Sequence, residues 1–312
     1  MPSLADGEIL VRTAYASVCG SDLHVVFGGA PPQPGEPGFP GHESVGEVVE
    51  SRCPGFEPGD RVLTVPFAVD GRCLAEFQAI PGAACVRLPD TVPLSHLLMA
   101  QQLGTVVFAL RTHPLDVVGK EVAVIGQGSA GAFFTFLLKR AGAARVLVSD
   151  KSPARLAYSR KLGADLTLEI GEDAGNEDFR SAVLEATGGR GADVVVEAVG
   201  SRETFPLSLE LAAPGATLVW FGLPEGSDDY PFSFPQFFRR ALTAYSNFGA
   251  QGEPGLESFR YAVRLITDGA IDVTPLLTHL LPIEQVGEAF RIARDRTGNA
   301  LKVSVKFSAE DD

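Results

Sequence analysis

The sequence has little of what staples a small fold together or draws a chain to polyanions and bilayers. Its 312 residues include only four cysteines, Cys19, Cys53, Cys73 and Cys85, at irregular spacings and without a Cys-x-x-Cys pair. That pattern argues against a disulfide framework and leaves metal ligation as a use for one of them. Lysine and arginine number 26 against 39 aspartates and glutamates, a net charge of −13, and no basic cluster is present. Phosphate-backbone electrostatics would oppose such a surface, so nucleic acid is not an expected partner. Residues 1–9 carry no basic stretch followed by an apolar one, and the most apolar helical run, 130–138, falls far short of the roughly 20 residues of a membrane span. The expectation is a soluble, cytoplasmic protein without a membrane partner. Low-complexity tracts and internal repeats are absent as well.

The length suggests two domains, because single cores rarely grow past about 250–300 residues. With 45% hydrophobic and 21% charged residues, the chain can bury a sizeable core. Residues 1–112 are rich in glycine, proline and short β-type runs at 9–15, 44–49, 61–65 and 75–80, which predicts a β-rich unit with long loops. Short apolar strands at 122–125, 146–149, 194–197 and 218–221 then alternate with helical stretches such as 130–141 and 153–162. Strands buried on both faces and separated by helices predict a parallel, doubly wound sheet over residues 113–250. Residues 251–312 hold helices at 256–268 and 283–294 and a strand at 300–307. Too short to fold alone, that tail is assigned back to the first domain.

The run Gly126-Gln127-Gly128-Ser129-Ala130-Gly131 follows a strand and opens a helix. The first glycine permits a tight turn, the second lets backbone approach a pyrophosphate, and the third lets helix and strand pack closely. Asp150 ends the next strand about twenty residues on, where an acid accepts hydrogen bonds from a ribose 2′-hydroxyl. A carboxylate there would repel a 2′-phosphate, which favours NAD over NADP, although Lys151 and Arg155 stand nearby. Asp150 also reads as a helix N-cap ahead of Ser152 and Pro153.

In the β-rich part, Cys19-Gly20-Ser21-Asp22-Leu23-His24 and Gly41-His42-Glu43 bring together a thiol, imidazoles and carboxylates. Such a set suits Zn²⁺, which in catalytic sites takes three protein ligands and keeps one position open. With these motifs, the glycine turn, Gly59-Asp60-Arg61-Val62, the run 193–200, Pro214-Gly215-Ala216, Gly269-Ala270-Ile271-Asp272 and Leu301-Lys302-Val303, the chain resembles the zinc-dependent medium-chain dehydrogenases over nearly its whole length. This family includes alcohol, sorbitol and related polyol dehydrogenases.

The resemblance implies a Rossmann cofactor domain beside a GroES-like catalytic domain. It implies Cys19, His42 and Glu43 as the metal residues of one catalytic zinc, Glu43 matching a carboxylate that ligates in sorbitol-type members and stands just behind the metal in others, with Asp22 as the acid that orients a ligating imidazole and Ser21 and His24 as a proton relay. For the cofactor it implies the glycine turn from Gly126 through Gly128, Ser129, Ala130 and Gly131, then Asp150, Lys151 and Arg155, the turn Ala198-Val199-Gly200, and Lys302 at the pyrophosphate. It further implies a homodimer or homotetramer, with the strand at 242–246 matching a subunit-pairing segment.

Three departures stand out. Gln101 occupies a position where most members place Cys or Glu near the metal, so the site rests on three side chains and water. The four-cysteine lobe of the structural zinc is missing, with only Cys73 between Pro66 and Ala75, so no structural zinc is expected. The chain begins at Ala5-Asp6-Gly7-Glu8-Ile9-Leu10-Val11, which in the family follows an N-terminal strand pair; either the start is placed late, or this member lacks the hairpin and covers an exposed sheet edge another way.

The expected activity is NAD-linked oxidation of a small alcohol, secondary or polyol, to its carbonyl. A zinc-free enone or quinone reductase and a non-catalytic dinucleotide-binding protein stay open as alternatives. Phe232, Phe234, Phe237 and Phe238 read as pocket, core or interface; His96, His113 and His279 read as capping or surface residues. The loop 28–41 is expected to overlie the mouth of the active site.

Overall fold

Strand β1 (Glu8–Ser17) buries Ile9, Leu10 and Val11 in succession, so both of its faces are covered there, and it has strands on both sides in its sheet. In the computed structural model, which describes residues 1–28, 37–171, 177–224, 226 and 228–307, β1 lies antiparallel to β2 (Ser44–Ser51) on one side. Helix α1 (Gly20–Phe27) separates the two strands in sequence. Beyond β2 come β3 (Arg61–Thr64), β4 (Phe77–Pro81) and β5 (Cys85–Arg87), in the order β2-β3-β5, while β4 returns to pair with β1. Two helices follow, α2 (Leu94–Leu97) and α3 (Ala100–Arg111). Residues 29–36, the greater part of the loop expected over the active site, lie outside the described residues.

The middle of the chain alternates strand and helix: β6 (Glu121–Ile125), α4 (Ser129–Arg140), β7 (Arg145–Asp150), α5 (Pro153–Lys161), β8 (Leu166–Glu169), α6 (Glu177–Ala186), β9 (Ala192–Glu197), α7 (Thr204–Leu211), β10 (Ala212–Trp220), α8 (Phe234–Arg239) and β11 (Thr243–Ser246). The six strands are all parallel and lie in the order β11-β10-β9-β6-β7-β8. The order reverses between β6 and β9, the doubly wound arrangement that opens a ligand crevice at the carboxyl ends of the strands. Val122, Ala123 and Val124 on β6 are fully buried, as a strand covered on both faces requires. Phe179, Val195, Leu207 and Leu218 fill the core on one side of this sheet.

The last stretch supplies α9 (Glu257–Thr267), β12 (Leu277–Pro282), α10 (Val286–Asp295) and β13 (Lys302–Lys306). Strand β13 pairs antiparallel with β1 and parallel with β12, which makes one seven-stranded sheet from two distant pieces of chain. Ala16, Val18, Cys73, Phe290, Val303 and Val305 pack together beneath this junction. By internal packing the chain divides into Met1–Phe108 with Gly249–Asp312, and Ala109–Phe248. The first unit is the β-rich GroES-like domain and the second the Rossmann-like one. Among the described residues no helix is long and apolar enough to cross a membrane.

Candidate metal centre and dinucleotide turn

Sheet register assembles the first site. Ala16 lies opposite Ser44 and Ser17 opposite Ser304, so the end of β1 meets the starts of β2 and β13. Cys19 and Asp22 follow the first of these ends, His42 and Glu43 precede the second, and Lys302 opens the third. One ligand atom from each of Cys19, His42 and Glu43 lies within 4.8 Å of the others. Asp22, buried, ties two of these residues together: one carboxylate oxygen accepts the Cys19 backbone N–H at 2.9 Å, and the other is 2.9 Å from His42 Nδ1. With Nδ1–H donated to Asp22, Nε2 keeps its lone pair for another partner. Ser21 Oγ stands 3.4 Å from that nitrogen.

Glu43 is buried, with its two oxygens in different situations. Oε2 accepts from Ser17 Oγ and pairs with the Lys302 ammonium, while Oε1 has no partner. A buried carboxylate oxygen left bare is costly unless something cationic meets it. Beside a thiol and an imidazole, it makes the donor set fit a divalent zinc. Burial works against the charge on His42, but the Cys19 sulfur and then Asp22 outweigh it and raise its pKa well above the ordinary histidine value. Burial likewise opposes the Glu43 charge, yet Lys302 and His42 bring its pKa below the usual carboxylate value. Lys302 is raised, with Glu43 overcoming its desolvation.

The second site lies in the Ala109–Phe248 unit. Gly126 has φ +88°, the left-handed turn that glycine allows. A Cβ on Gly131 would overlap the Gly126 carbonyl oxygen, whereas one on Gly128 would meet nothing within 4 Å, leaving open backbone where an anion can approach a helix start. Asp150 accepts the Gln127 N–H at 2.7 Å and the Ser152 N–H at 2.9 Å, with an Arg155 guanidinium nitrogen at 3.8 Å. The N-cap of α5 is Ser152, which accepts from the Arg155 N–H, so the capping role read for Asp150 belongs to its neighbour. These features fit a dinucleotide phosphate and an acid-lined ribose. Lys151 is exposed, and Val199 is exposed in part on the turn beside Gly126.

Several residues stand apart from their sequence reading or were missed by it. Lys302, assigned by resemblance to the pyrophosphate, is 2% exposed and spends its ammonium on Glu43. Gln101 is 1% exposed with its amide nitrogen unpartnered. His24 is half-buried on α1, three residues beyond Ser21. Phe232 and Phe237 pack against each other, and Phe232 against Trp220, while Phe234 and Phe238 are 62% and 72% exposed. His113 stacks on Tyr245 at 4.2 Å, and His279 is half-buried.

Sequence reasoning missed Gln127 as a structural group. Its buried amide donates to the Gly126 carbonyl and accepts from Thr135 and Ser159 hydroxyls, locking the turn to α4 and α5. It also missed Glu197, a buried acid whose Oε1 accepts the Val199 and Gly200 N–H groups while Oε2 has no partner. Burial raises its pKa despite those hydrogen bonds. Its place at the end of the apolar strand read at 194–197 was the available signal.

The profile of the alcohol dehydrogenase GroES-like domain matches residues 5–90, and that of the zinc-binding dehydrogenases matches residues 130–268. The chain belongs to the zinc-type medium-chain dehydrogenase family. Within that family it is 28% identical to the L-threonine 3-dehydrogenase of Pyrococcus abyssi over 331 aligned positions, covering 96% of this chain and 92% of that protein. To the sorbitol dehydrogenase of Mus musculus it is 26% identical over 346 positions, covering 100% and 92%. The alcohol dehydrogenase of Thermus sp. ATN1 superposes with a TM-score of 0.83 at 25% identity, covering 98% of this chain and 94% of that one.

Proposed function

We propose that this medium-chain dehydrogenase moves a hydride between the carbinol carbon of a small alcohol, secondary or polyol, and NAD, yielding a ketone or aldehyde. The carrying observation is the cluster of half-buried Cys19 with buried His42 and Glu43, one carboxylate oxygen of Glu43 being bare. These three side chains would hold a single zinc. When bound, that ion supplies a Lewis acid beside the reacting carbon–oxygen bond, and the nicotinamide ring supplies the hydride acceptor.

The remaining work falls to the chain's own groups. Asp22 holds the His42 ring by Nδ1, and Lys302 with Ser17 holds Oε2 of Glu43, so Nε2 and Oε1 are oriented in advance. As hydride leaves, Ser21 Oγ accepts the hydroxyl proton and gives its own to the His24 imidazole, which releases it to water. Ser21 and His24, three apart on α1, share a helix face. Asp150, held by two backbone N–H groups, presents a carboxylate to the adenosine ribose and disfavours a 2′-phosphate.

The test is elemental mass spectrometry of the purified chain with a Cys19→Ser control, followed by an alcohol panel with NAD and NADP that includes L-threonine and sorbitol. About one zinc per chain, lost in the control, together with NAD-linked oxidation is the expected outcome. Enone reduction without zinc would overturn it in favour of a zinc-free reductase, and cofactor binding without turnover would favour a non-catalytic protein.

The reading extends to a homodimer or homotetramer, which the terminal position of β11 in its sheet and the exposed Phe234 and Phe238 support. Analytical ultracentrifugation showing only monomer at micromolar concentration would overturn that part.

A further inference from the structure

The missing cysteine lobe leaves a short segment, residues 71–75, lying backbone to backbone against residues 38–42. The Cys73 N–H donates to the Gly41 carbonyl at 2.9 Å, and the Leu74 N–H donates to the Gly38 carbonyl at 3.0 Å. The approach leaves no room for a side chain. A Cβ on Gly71 would overlap the Gly41 carbonyl oxygen and stand 2.9 Å from the His42 Cβ, and one on Gly41 would stand 2.8 Å from the Leu74 Cγ.

The segment is anchored at Cys73. Its side chain is fully buried, with the sulfur 3.5 Å from Thr64 Oγ1 and 3.7 Å from Gln78 Oε1. Gln78 in turn donates to Thr13 Oγ1 at 3.0 Å and to Ser44 Oγ at 2.9 Å, and Ser44 Oγ lies 2.6 Å from Thr64 Oγ1. This buried network joins β1, β2, β3 and β4 and ends two residues past His42. The histidine is therefore held on both sides in sequence: Gly41 by the backbone of Cys73, and Ser44 by the network that Cys73 joins.

We propose that residues 71–75 form a clasp that fixes the His42 imidazole for metal binding, with Gly71 and Cys73 as its positioning residues. The proposal rests on the reading of His42 as a zinc ligand. It has a physical rationale: a ligand whose backbone can shift loses affinity, and supporting groups of this kind typically govern metal affinity about 10- to 100-fold.

The experiment measures zinc Kd by competition with a chromophoric chelator, the visible spectrum of the Co²⁺-substituted full chain, and melting temperature. The variants are Gly71→Ala, Cys73→Val, Cys73→Ser and Gly82→Ala. Gly82→Ala is the crowding control, because its Cβ would overlap Cys53 Sγ at the turn between β4 and β5.

Gly71→Ala and Cys73→Val should weaken zinc binding by about 10- to 100-fold and shift the cobalt bands. Cys73→Ser, which keeps a donor, should stay close to wild type. Gly82→Ala should lower the melting temperature without moving the zinc Kd. An unchanged zinc Kd in Gly71→Ala, or an equal loss in Gly82→Ala, overturns the clasp. If Gly71→Ala does not fold, equal zinc Kd for Cys73→Val and Cys73→Ser overturns it. A wild-type chain that holds no zinc overturns the dehydrogenase reading along with the clasp, whereas a zinc-loaded wild type with unaffected variants overturns the clasp alone.

Discussion

Glu43 is the residue on which the proposed metal centre turns, because one of its oxygens is neutralised from within the protein and the other is not. Removing Lys302 leaves a buried carboxylate uncompensated, a loss that typically costs roughly 3–5 kcal/mol. Lys302→Met should therefore unfold at markedly lower urea concentration than wild type, and added zinc should recover part of the deficit by meeting the same charge; equal midpoints with and without Lys302 would contradict this. Glu197 makes a different case. A carboxyl whose pKa is raised on folding stabilises the native state below its ordinary value, and that contribution is lost as pH climbs through the raised one. Glu197→Gln keeps the oxygen that accepts from Val199 and Gly200 and removes the titration. It should melt higher than wild type at about pH 8 and show no advantage at about pH 5. At this scale Cys19, His42 and Glu43 were legible as neighbours in two short motifs. The partner of Lys302 was not, since nothing local in a sequence pairs charges that strand register alone brings together.

Among the elements, the β6–turn–α4 unit was legible in full, because an apolar strand, three spaced glycines and an apolar helix each impose a separate local constraint. The start of β10 was not. Its pairing with β9 shifts register between Ala212 and Thr217, so the strand begins well before the apolar run at 218–221 that announced it. The turn also yields a sharp test. A Gly131→Val side chain would be forced against the Gly126 carbonyl oxygen, and overpacking of this kind costs about 1–3 kcal/mol, roughly tenfold to a hundredfold in affinity. NADH binding followed by fluorescence should weaken by that factor while zinc content stays at wild-type level. A parallel loss of zinc would mean that the variant damages more than its own unit.

At the scale of the molecule, one unit is assembled from both ends of the chain and the other from its middle. The first boundary falls inside α3, whose helical sequence runs on unbroken to Arg111, so composition carries no sign of it. Each unit holds one proposed ligand, and a ligand that binds only the native state stabilises by about 2.7 kcal/mol at a hundred times its Kd. Calorimetry should accordingly show chelation lowering, and zinc restoring, a transition that Cys19→Ser makes insensitive to zinc. NADH should raise the melting of Cys19→Ser as it does that of wild type, and a failure to do so would contradict separate binding by the two units.

Strand β13 carries Lys302 to Glu43 from the far end of the chain. A ribosome makes the two far apart in time: the carboxylate, the thiol and the imidazole emerge early, and the Lys302 ammonium only with β13. Until β13 has been made, the nascent chain therefore carries these three side chains without the ammonium that neutralises one oxygen of Glu43.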